Sequence, residues 1–229
     1  DFGSNMNSIL LLHGALGSRT QLEPLKTILQ DHGHQVFSMN FSGHSGQPYA
    51  VQGFGIDTFA HDVVHYLNAH HLNGIKIFGY SMGGYVALWV AHKHPGLVNK
   101  IVTLGTKFDW SPDSAEREIQ KLDPEKIVQK IPAFARILEH RHSPNDWREL
   151  LAKTATMMRG LGANPLLTQE HFRQLQIPIT ILLGDQDDMA DRDYSKQVAG
   201  WLPQGNFQLL GSTPHPIEKV RLNELLPFI

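Results

Sequence analysis

Cysteine is absent from the 229-residue chain, which excludes a disulfide framework, a cysteine nucleophile and thiolate-held zinc or iron–sulfur centres. Long apolar runs are missing as well: stretches such as 9–12 and 179–183 fall far short of the about 20 residues that a membrane span requires. Charge of one sign is equally scarce. Lysine and arginine number 20 against 22 acids, for a net charge of −2, and no basic stripe is present to hold a phosphate backbone, so nucleic acid is not an expected partner. There is no internal repeat and no low-complexity tract. What remains is 41% hydrophobic and 18% charged, enough apolar material for a sizeable core and too little charge for a disordered chain. The length suits one globular domain with room for an inserted subdomain.

Residues 1–5 (Asp-Phe-Gly-Ser-Asn) precede Met6 and carry neither a basic segment nor an apolar core of the signal-peptide kind. They read as a short tail left by cloning, with Met6 as the natural start. The expectation is then a protein without a secretory signal, located in the cytoplasm.

Short apolar runs alternate with longer amphipathic ones, the sequence form of a parallel sheet whose strands are joined by helices. Strands are expected at 8–12, 35–39, 75–78, 100–104, 179–183 and 206–210, and helices at 18–30, 56–71, 82–93, 192–201 and 217–226. In the second helix Ile56, Phe59, Ala60, Val63, Val64 and Leu67 recur at helical spacing, which marks the face that packs on the sheet. From 111 onward the alternation stops. Helix-like patches follow one another without a strand, divided by Pro112, Pro124, Pro132, Pro144 and Pro165, each tolerated at a helix start but not in its interior. The reading is an α/β fold of about six mostly parallel strands with helices on both faces. Residues 1–110 and 177–229 form the core, and 111–176 form an inserted helical lid.

The strongest chemical signal is Gly79-Tyr80-Ser81-Met82-Gly83-Gly84, directly after one expected strand and directly before one expected helix. Turning a strand into a helix through a single residue holds that residue in a strained conformation, and the flanking glycines avoid the resulting clashes. Ser81 is thereby presented at the carboxyl end of the sheet, with the positive end of the next helix beside it. A serine hydroxyl needs a histidine base and a carboxylate to orient that base. Of 14 histidines, His215 follows the last strand and lies on the same edge as Ser81. Asp185, Asp187 and Asp188 follow the strand at 179–183, and Asp109 follows the one at 100–104. All four compete for the acid's place. Two backbone N–H groups are needed to stabilise the tetrahedral oxygen. Met82 supplies one, and Ala15, in the small-residue loop His13-Gly14-Ala15-Leu16-Gly17 after the first strand, is expected to supply the other.

With these residues in place the chain resembles the α/β-hydrolase superfamily, in particular its small lid-bearing serine esterases, and the resemblance covers nearly the whole chain. His13 to Gly17 resemble the family's oxyanion loop, Asn40-Phe41-Ser42-Gly43-His44-Ser45-Gly46 its loop after the next strand, and Gly79 to Gly84 its nucleophile elbow. Gly184-Asp185-Gln186-Asp187 resembles the family's Gly-x-x-Asp acid turn and so selects Asp187. Pro214-His215-Pro216 stands at the family's histidine. Three departures are visible: few residues precede the first strand, Asn40 and Ser45 stand where aspartate and glycine are usual, and prolines flank His215.

The resemblance implies a carboxylic ester hydrolase working through an acyl-enzyme, with Ser81, Asp187 and His215 as the triad, Ala15 and Met82 as the oxyanion hole, and no cofactor. A small, largely apolar ester is the expected substrate. Leu16, Phe108, Trp110, Phe134, Met157 and Met158 are the expected substrate-binding set, with Trp147 a further lid aromatic. The same triad also serves enol-lactone or carbon–carbon bond hydrolysis, for which Lys107, Arg136, Arg148 or Arg159 would have to anchor a substrate carboxylate. A non-catalytic receptor on the same scaffold is the rival of a different class. His61 and His65 stand one helical turn apart, a spacing that zinc sites use. Without a third ligand they read as a solvated face and not as a metal site.

Overall fold

The apolar runs pair into one sheet. The computed structural model describes residues 7–229, so the reading of residues 1–5 and of Met6 lies outside the described residues. The strands are β1 (Ser8–Leu12), β2 (Gln35–Met39), β3 (Ile75–Tyr80), β4 (Val98–Leu104), β5 (Ile179–Gly184) and β6 (Gly205–Leu210), all parallel, in the spatial order β2-β1-β3-β4-β5-β6. Every residue of β1 is buried, as a central parallel strand covered on both faces requires. β6, at the edge, is mostly exposed.

Alternate side chains of each strand feed two apolar layers. Leu10, Leu12, Ile75 and Ile77 point to one face, where α2 (Ile56–Ala69), α3 (Met82–Lys93) and α9 (Arg192–Trp201) pack. Ile9, Leu11, Phe78 and Tyr80 point to the other, covered by α1 (Glu23–Asp31) and the C-terminal residues Ile217, Val220 and Leu225. Between β4 and β5 lie α4 (Pro112–Ile119), α5 (Pro124–Lys130), α6 (Pro132–His142), α7 (Trp147–Ala163) and α8 (Gln169–Gln174). Pro112, Pro124 and Pro132 each open a helix. The side chains of Ser111, Asp123 and Asp146 cap α4, α5 and α7, satisfying first-turn N–H groups that have no intrahelical partner. Part of this segment has an apolar cluster of its own, with Ile127, Ala135, Leu138, Trp147, Leu150 and Leu151 packed around Leu16.

Two expected helices differ. The stretch 18–30 begins as a 3-10 turn (Arg19–Leu22) before α1, because Pro24 is confined to a first helical turn. The stretch 217–226 forms two 3-10 turns, Ile217–Lys219 and Leu222–Phe228, separated by extended backbone at Val220 and Arg221. Pro227 inside the second turn lacks the N–H that an α-helix would use. No helix among the described residues is long and apolar enough to cross a membrane.

The strand order creates a crevice. From β1 the chain goes to β2 on one side, then crosses to β3 on the other, so the loops after β1 and β3 part at the carboxyl edge. Phe59 of α2 supports that edge from below. It is fully buried, with ring centroids 5.1 Å from Phe41, 5.6 Å from His44 and 5.0 Å from Phe54. Phe59→Ala is expected to cost about 3–5 kcal/mol, read from the urea midpoint at unchanged slope.

Candidate active site

Ser81 joins β3 to α3 at φ 52°, ψ −119°, a left-handed conformation that a non-glycine residue adopts only when its surroundings impose it. The surroundings are explicit. A methyl group on Gly79 would lie 2.4 Å from the Gly84 nitrogen, on Gly83 2.5 Å from the Leu12 carbonyl oxygen, and on Gly84 2.2 Å from Thr106 Oγ1. Only glycine lets the strand, the helix and their neighbours approach so closely. The Ser81 N–H donates to the Leu104 carbonyl at 2.8 Å, and its own carbonyl accepts from Thr106 Oγ1 at 2.7 Å. The end of β4 and the loop just after it therefore grip the strained residue by both backbone groups.

The loop after β1 lies directly on this elbow, since a side chain at Gly14 would meet Ser81 Cβ at 3.2 Å. His13 Nε2 accepts from the Phe41 N–H at 3.1 Å, which leaves Nδ1 as the protonated nitrogen, donating to the Gly14 carbonyl at 2.7 Å. The Gly14–Ala15 peptide is planar. Its carbonyl is held toward His13, so the Ala15 N–H points the opposite way. Ala15 and Met82 both line the cavity beside Ser81. The Met82 N–H opens α3 and has no intrahelical acceptor.

The loops after β5 and β6 are zipped together. Gly184 packs so tightly on the Thr213 carbonyl that a methyl there would come within 2.1 Å, Gln186 N–H donates to that carbonyl at 3.0 Å, and Asp185 Oδ1 accepts from Thr213 N–H at 3.0 Å. This brings Asp187 Oδ2 to 2.7 Å from His215 Nδ1. The Asp187 side chain is 1% exposed and that of His215 17%. Burial alone pushes the Asp187 carboxyl up, but the hydrogen bond and charge of His215, with the N–H groups of Met189 and Ala190 on Oδ1, bring it below the ordinary carboxylate value. Tyr80 Oη donates to the His215 carbonyl at 3.1 Å and fixes the proline-flanked loop. Gly105, at φ 65°, leaves room behind the pair, since a side chain there would lie 3.1 Å from Asp187 Oδ2 and 3.2 Å from His215 Nδ1. The competing acids are elsewhere: Asp185 and Asp188 are exposed, and Asp109 pairs with Lys107 at 2.9 Å. Ser81 Oγ has no hydrogen bond among the described residues.

The cavity against Ser81 has a volume of only about 30 Å³, room for about two water molecules. Its wall includes Trp110, Met157 and Met158 of the expected substrate-binding set. Leu16, Phe108 and Phe134 are not in it, and neither is Trp147. Leu16 turns away into the apolar cluster of Leu138 and Trp147, which Phe134 also joins, while Phe108 packs into the core, tilted to Tyr85 and edge-on to Phe172. Sequence reading missed Ile56, Tyr85, Thr106, Leu161 and Met189, which complete the wall. Lys107 is the one expected anchor that reaches the cavity, and its ammonium is committed to Asp109 Oδ2 and to the Met189 carbonyl at 3.2 Å. Arg148 pairs with Glu125 and Arg159 with Glu116, all four exposed. Arg136 lines a separate cleft with Ser18 and Ser45. His61 and His65 are exposed on α2, and among the described residues no three histidine or acidic side chains are grouped to hold a metal.

Three buried histidines escaped the sequence reading of roles. His13, His44 and His142 are each 0% exposed. Burial pushes His13 and His142 down to about 4 and His44 well below its ordinary value, despite a backbone carbonyl that accepts from each. All three are neutral imidazoles near pH 7.

Residues 7–217 match a family model described as alpha/beta hydrolase fold. The chain is 23% identical to the AB hydrolase superfamily protein YisY of Bacillus subtilis, over 95% of this chain and 89% of that protein. It is 29% identical to the sn-1-specific diacylglycerol lipase ABHD11 of Danio rerio over 54% of its own length, but spans only 40% of that lipase. A solved carboxylesterase of Nitrososphaera gargenis superposes with a TM-score of 0.79 over 100% of this chain and 90% of that one at 16% identity, a likeness of fold.

The neutral histidines set the acid stability. An unfolded imidazole takes up its proton near pH 6.5, while His13 and His142 refuse it until about 4. Between those values the unfolded state binds more protons, so these two rings make stability fall as pH drops from about 6.5 toward 4. His44 and the Asp187 carboxylate, both held below their ordinary values, continue the decline at lower pH. Thermal midpoints measured across that interval are expected to decline, and to decline less steeply in His142→Gln.

Proposed function

Because the chain belongs to the α/β-hydrolase family, we propose that it is a serine hydrolase cleaving carboxylic esters of small, largely apolar molecules. The observation that carries this reading is the 2.7 Å contact between a buried Asp187 carboxylate and His215 Nδ1, behind a serine in a strained elbow. A carboxylate on Nδ1 fixes that nitrogen as the protonated one and leaves Nε2 to accept the serine proton.

In this mechanism Ser81 Oγ attacks the ester carbonyl carbon while its proton passes to His215 Nε2. The oxygen that becomes negative receives the N–H groups of Ala15 and Met82. The C–O bond to the alcohol then breaks and His215 returns the proton to the leaving alkoxide, giving the alcohol and an acyl-Ser81. Water, deprotonated by the same imidazole, attacks the acyl-enzyme, and release of the carboxylic acid restores the Ser81 hydroxyl. Ser81 Oγ and His215 Nε2 are not hydrogen-bonded among the described residues, so the proton transfer requires that they come within hydrogen-bond reach once substrate is in place.

The cavity supports a neutral, short acyl group. Enol-lactone or carbon–carbon bond hydrolysis of an anionic substrate requires a free cation beside the serine, and Lys107 is already neutralised by Asp109. Ile56, Met157 and Leu161 line both the cavity and an outer cleft of about 500 Å³ bounded by residues 52–58 and α7. They form the wall that a longer acyl chain must displace, Met157 and Leu161 from the lid-like helical segment 111–176 and Ile56 from α2. A pure receptor has no physical use for a strained serine backed by a buried aspartate–histidine pair.

Ser81→Ala is expected to fold and to lose hydrolysis and fluorophosphonate labelling. Asp187→Asn is expected to lower turnover by about 10⁴-fold through the wrong imidazole tautomer, whereas Asp185→Asn and Asp109→Asn cost far less. Labelling of the alanine variant at the wild-type rate would sink the assignment. On p-nitrophenyl esters, efficiency is expected to rise from acetate to about butyrate, each methylene gaining about 0.8 kcal/mol while it finds apolar wall, and then to fall. Met157→Ala is expected to move that maximum to longer chains. An unchanged profile would remove Met157 from the wall.

A further inference from the structure

Leu16, one residue beyond the proposed oxyanion donor Ala15, stands at φ 62°, a conformation that a leucine holds only under constraint. Both of its backbone polar groups are taken by distant side chains. Its N–H donates to His44 Nε2 at 3.1 Å, and its carbonyl accepts from His142 Nε2 at 2.9 Å and from Arg141 Nη1 at 2.8 Å. Three successive peptide units of the loop are thus each gripped by a buried imidazole. His13 holds the Gly14 carbonyl, His44 the Leu16 N–H, and His142 the Leu16 carbonyl. His13 and His44 belong to the sheet's own loops, but Arg141 and His142 end α6, in the segment inserted between β4 and β5.

His142 also reaches a second loop. Its Nδ1 accepts from the Ser45 N–H at 2.9 Å, and Ser45, at φ 52°, is again left-handed. One imidazole therefore bridges two constrained residues, on the loops after β1 and β2, and a Ser18 Oγ–Ser45 Oγ contact of 3.1 Å closes the same junction.

We propose that His142, assisted by Arg141, is a positioning residue for hydrolysis: through the Leu16 carbonyl it locks the loop after β1 so that the Ala15 N–H faces the developing oxyanion. The inference rests on the serine-hydrolase reading above. An N–H donor acts only at its correct place, and loss of one oxyanion donor costs about 10²–10³ in kcat. A loop released by about 1 Å costs about 10²-fold. The groups that face His142 are Arg141 on its own helix and the imidazoles of His13 and His44. No carboxylate is hydrogen-bonded to it among the described residues, so the ring works as a neutral donor–acceptor and not as half of an ion pair.

The test compares His142→Leu, His142→Gln and Arg141→Met with the exposed neighbour His140→Leu as control. Three readouts are taken: kcat and KM on p-nitrophenyl butyrate, affinity for an alkyl trifluoromethyl ketone whose adduct oxygen requires the oxyanion hole, and amide exchange of residues 14–17. His142→Leu is expected to lower kcat 10- to 100-fold with KM within about threefold, to weaken the ketone in parallel, and to speed loop exchange. Glutamine offers one donor and one acceptor without titrating, and should recover most of the loss. Arg141→Met, at a half-buried position, gives a smaller effect in the same direction and decides the matter if His142→Leu does not fold. Wild-type kcat and ketone affinity in folded His142→Leu, or in Arg141→Met where that variant decides, overturn the proposal, as does failure of glutamine to outperform leucine. Failure of the hydrolase reading shows itself differently, as a wild type that neither labels with fluorophosphonate nor binds the ketone while loop exchange still responds to His142→Leu. That outcome overturns the catalytic role and leaves a purely structural clamp.

Discussion

The left-handed backbone of Ser81 constrains everything around it. A φ of 52° at a residue with a side chain costs on the order of 1–3 kcal/mol, and it persists because β3 and α3 are forced together in a space where any atom beyond glycine at 79, 83 or 84 would collide with main chain or threonine. The strain is supported from β4 and the loop that follows it, since the Leu104 carbonyl and the Thr106 hydroxyl hold the Ser81 peptide groups. In return the hydroxyl stands clear of the sheet edge while the first N–H groups of α3 point at the same space. Relaxing the elbow would remove the presentation of the nucleophile to the cavity and the free donor at Met82 together.

The other parts of the site obey the same economy, in which one close backbone approach fixes a functional group at its far end. Gly14 lets the β1 loop rest on Ser81, Gly105 leaves room for the aspartate–histidine pair, and Gly184 seats the Thr213 carbonyl so that the β5 and β6 loops travel as one. The parallel sheet brings these approaches to one edge, because all six strands point their carboxyl ends the same way. The crevice between the diverging β1 and β3 connections is where they meet.

Much of this was legible in the sequence because the rules involved are local. A strand run, a Gly-x-Ser-x-Gly turn and a helix follow from neighbouring residues, and prolines marked the starts of α4, α5 and α6. The ends were less legible: residues 217–226 carry a helical apolar pattern, yet extended backbone and Pro227 leave only 3-10 turns. The lining of the cavity was legible only in part. Trp110, Met157 and Met158 reach it, but whether Leu16, Phe108 or Phe134 does depends on how α5, α6 and α7 dock, which no spacing encodes. Lys107 illustrates the same limit, since its charge was visible and its neutralisation by Asp109 was not. The buried imidazoles were the least legible feature, because His13, His44 and His142 have no common spacing and histidine occurs on surfaces more often than in cores.

Why imidazoles occupy these positions follows from what a loop between strands needs. The turn from β1 toward α1 has no ladder to satisfy its peptide groups, and a buried peptide group without a partner is costly. A neutral imidazole offers one donor and one acceptor on opposite sides of a rigid ring, so each ring can join two backbone segments: Gly14 to Phe41, Leu16 to Ser42, and Leu16 to Ser45. A longer amide side chain makes the same two bonds but loses more rotamer freedom in doing so. An apolar residue would fill the volume and strand both peptide groups. The cost of the imidazole solution is sensitivity to acid, and it is kept small at neutral pH by the burial that holds all three rings uncharged. Rigidity at the oxyanion loop and coupling of α6 to the sheet are therefore consequences of one packing choice.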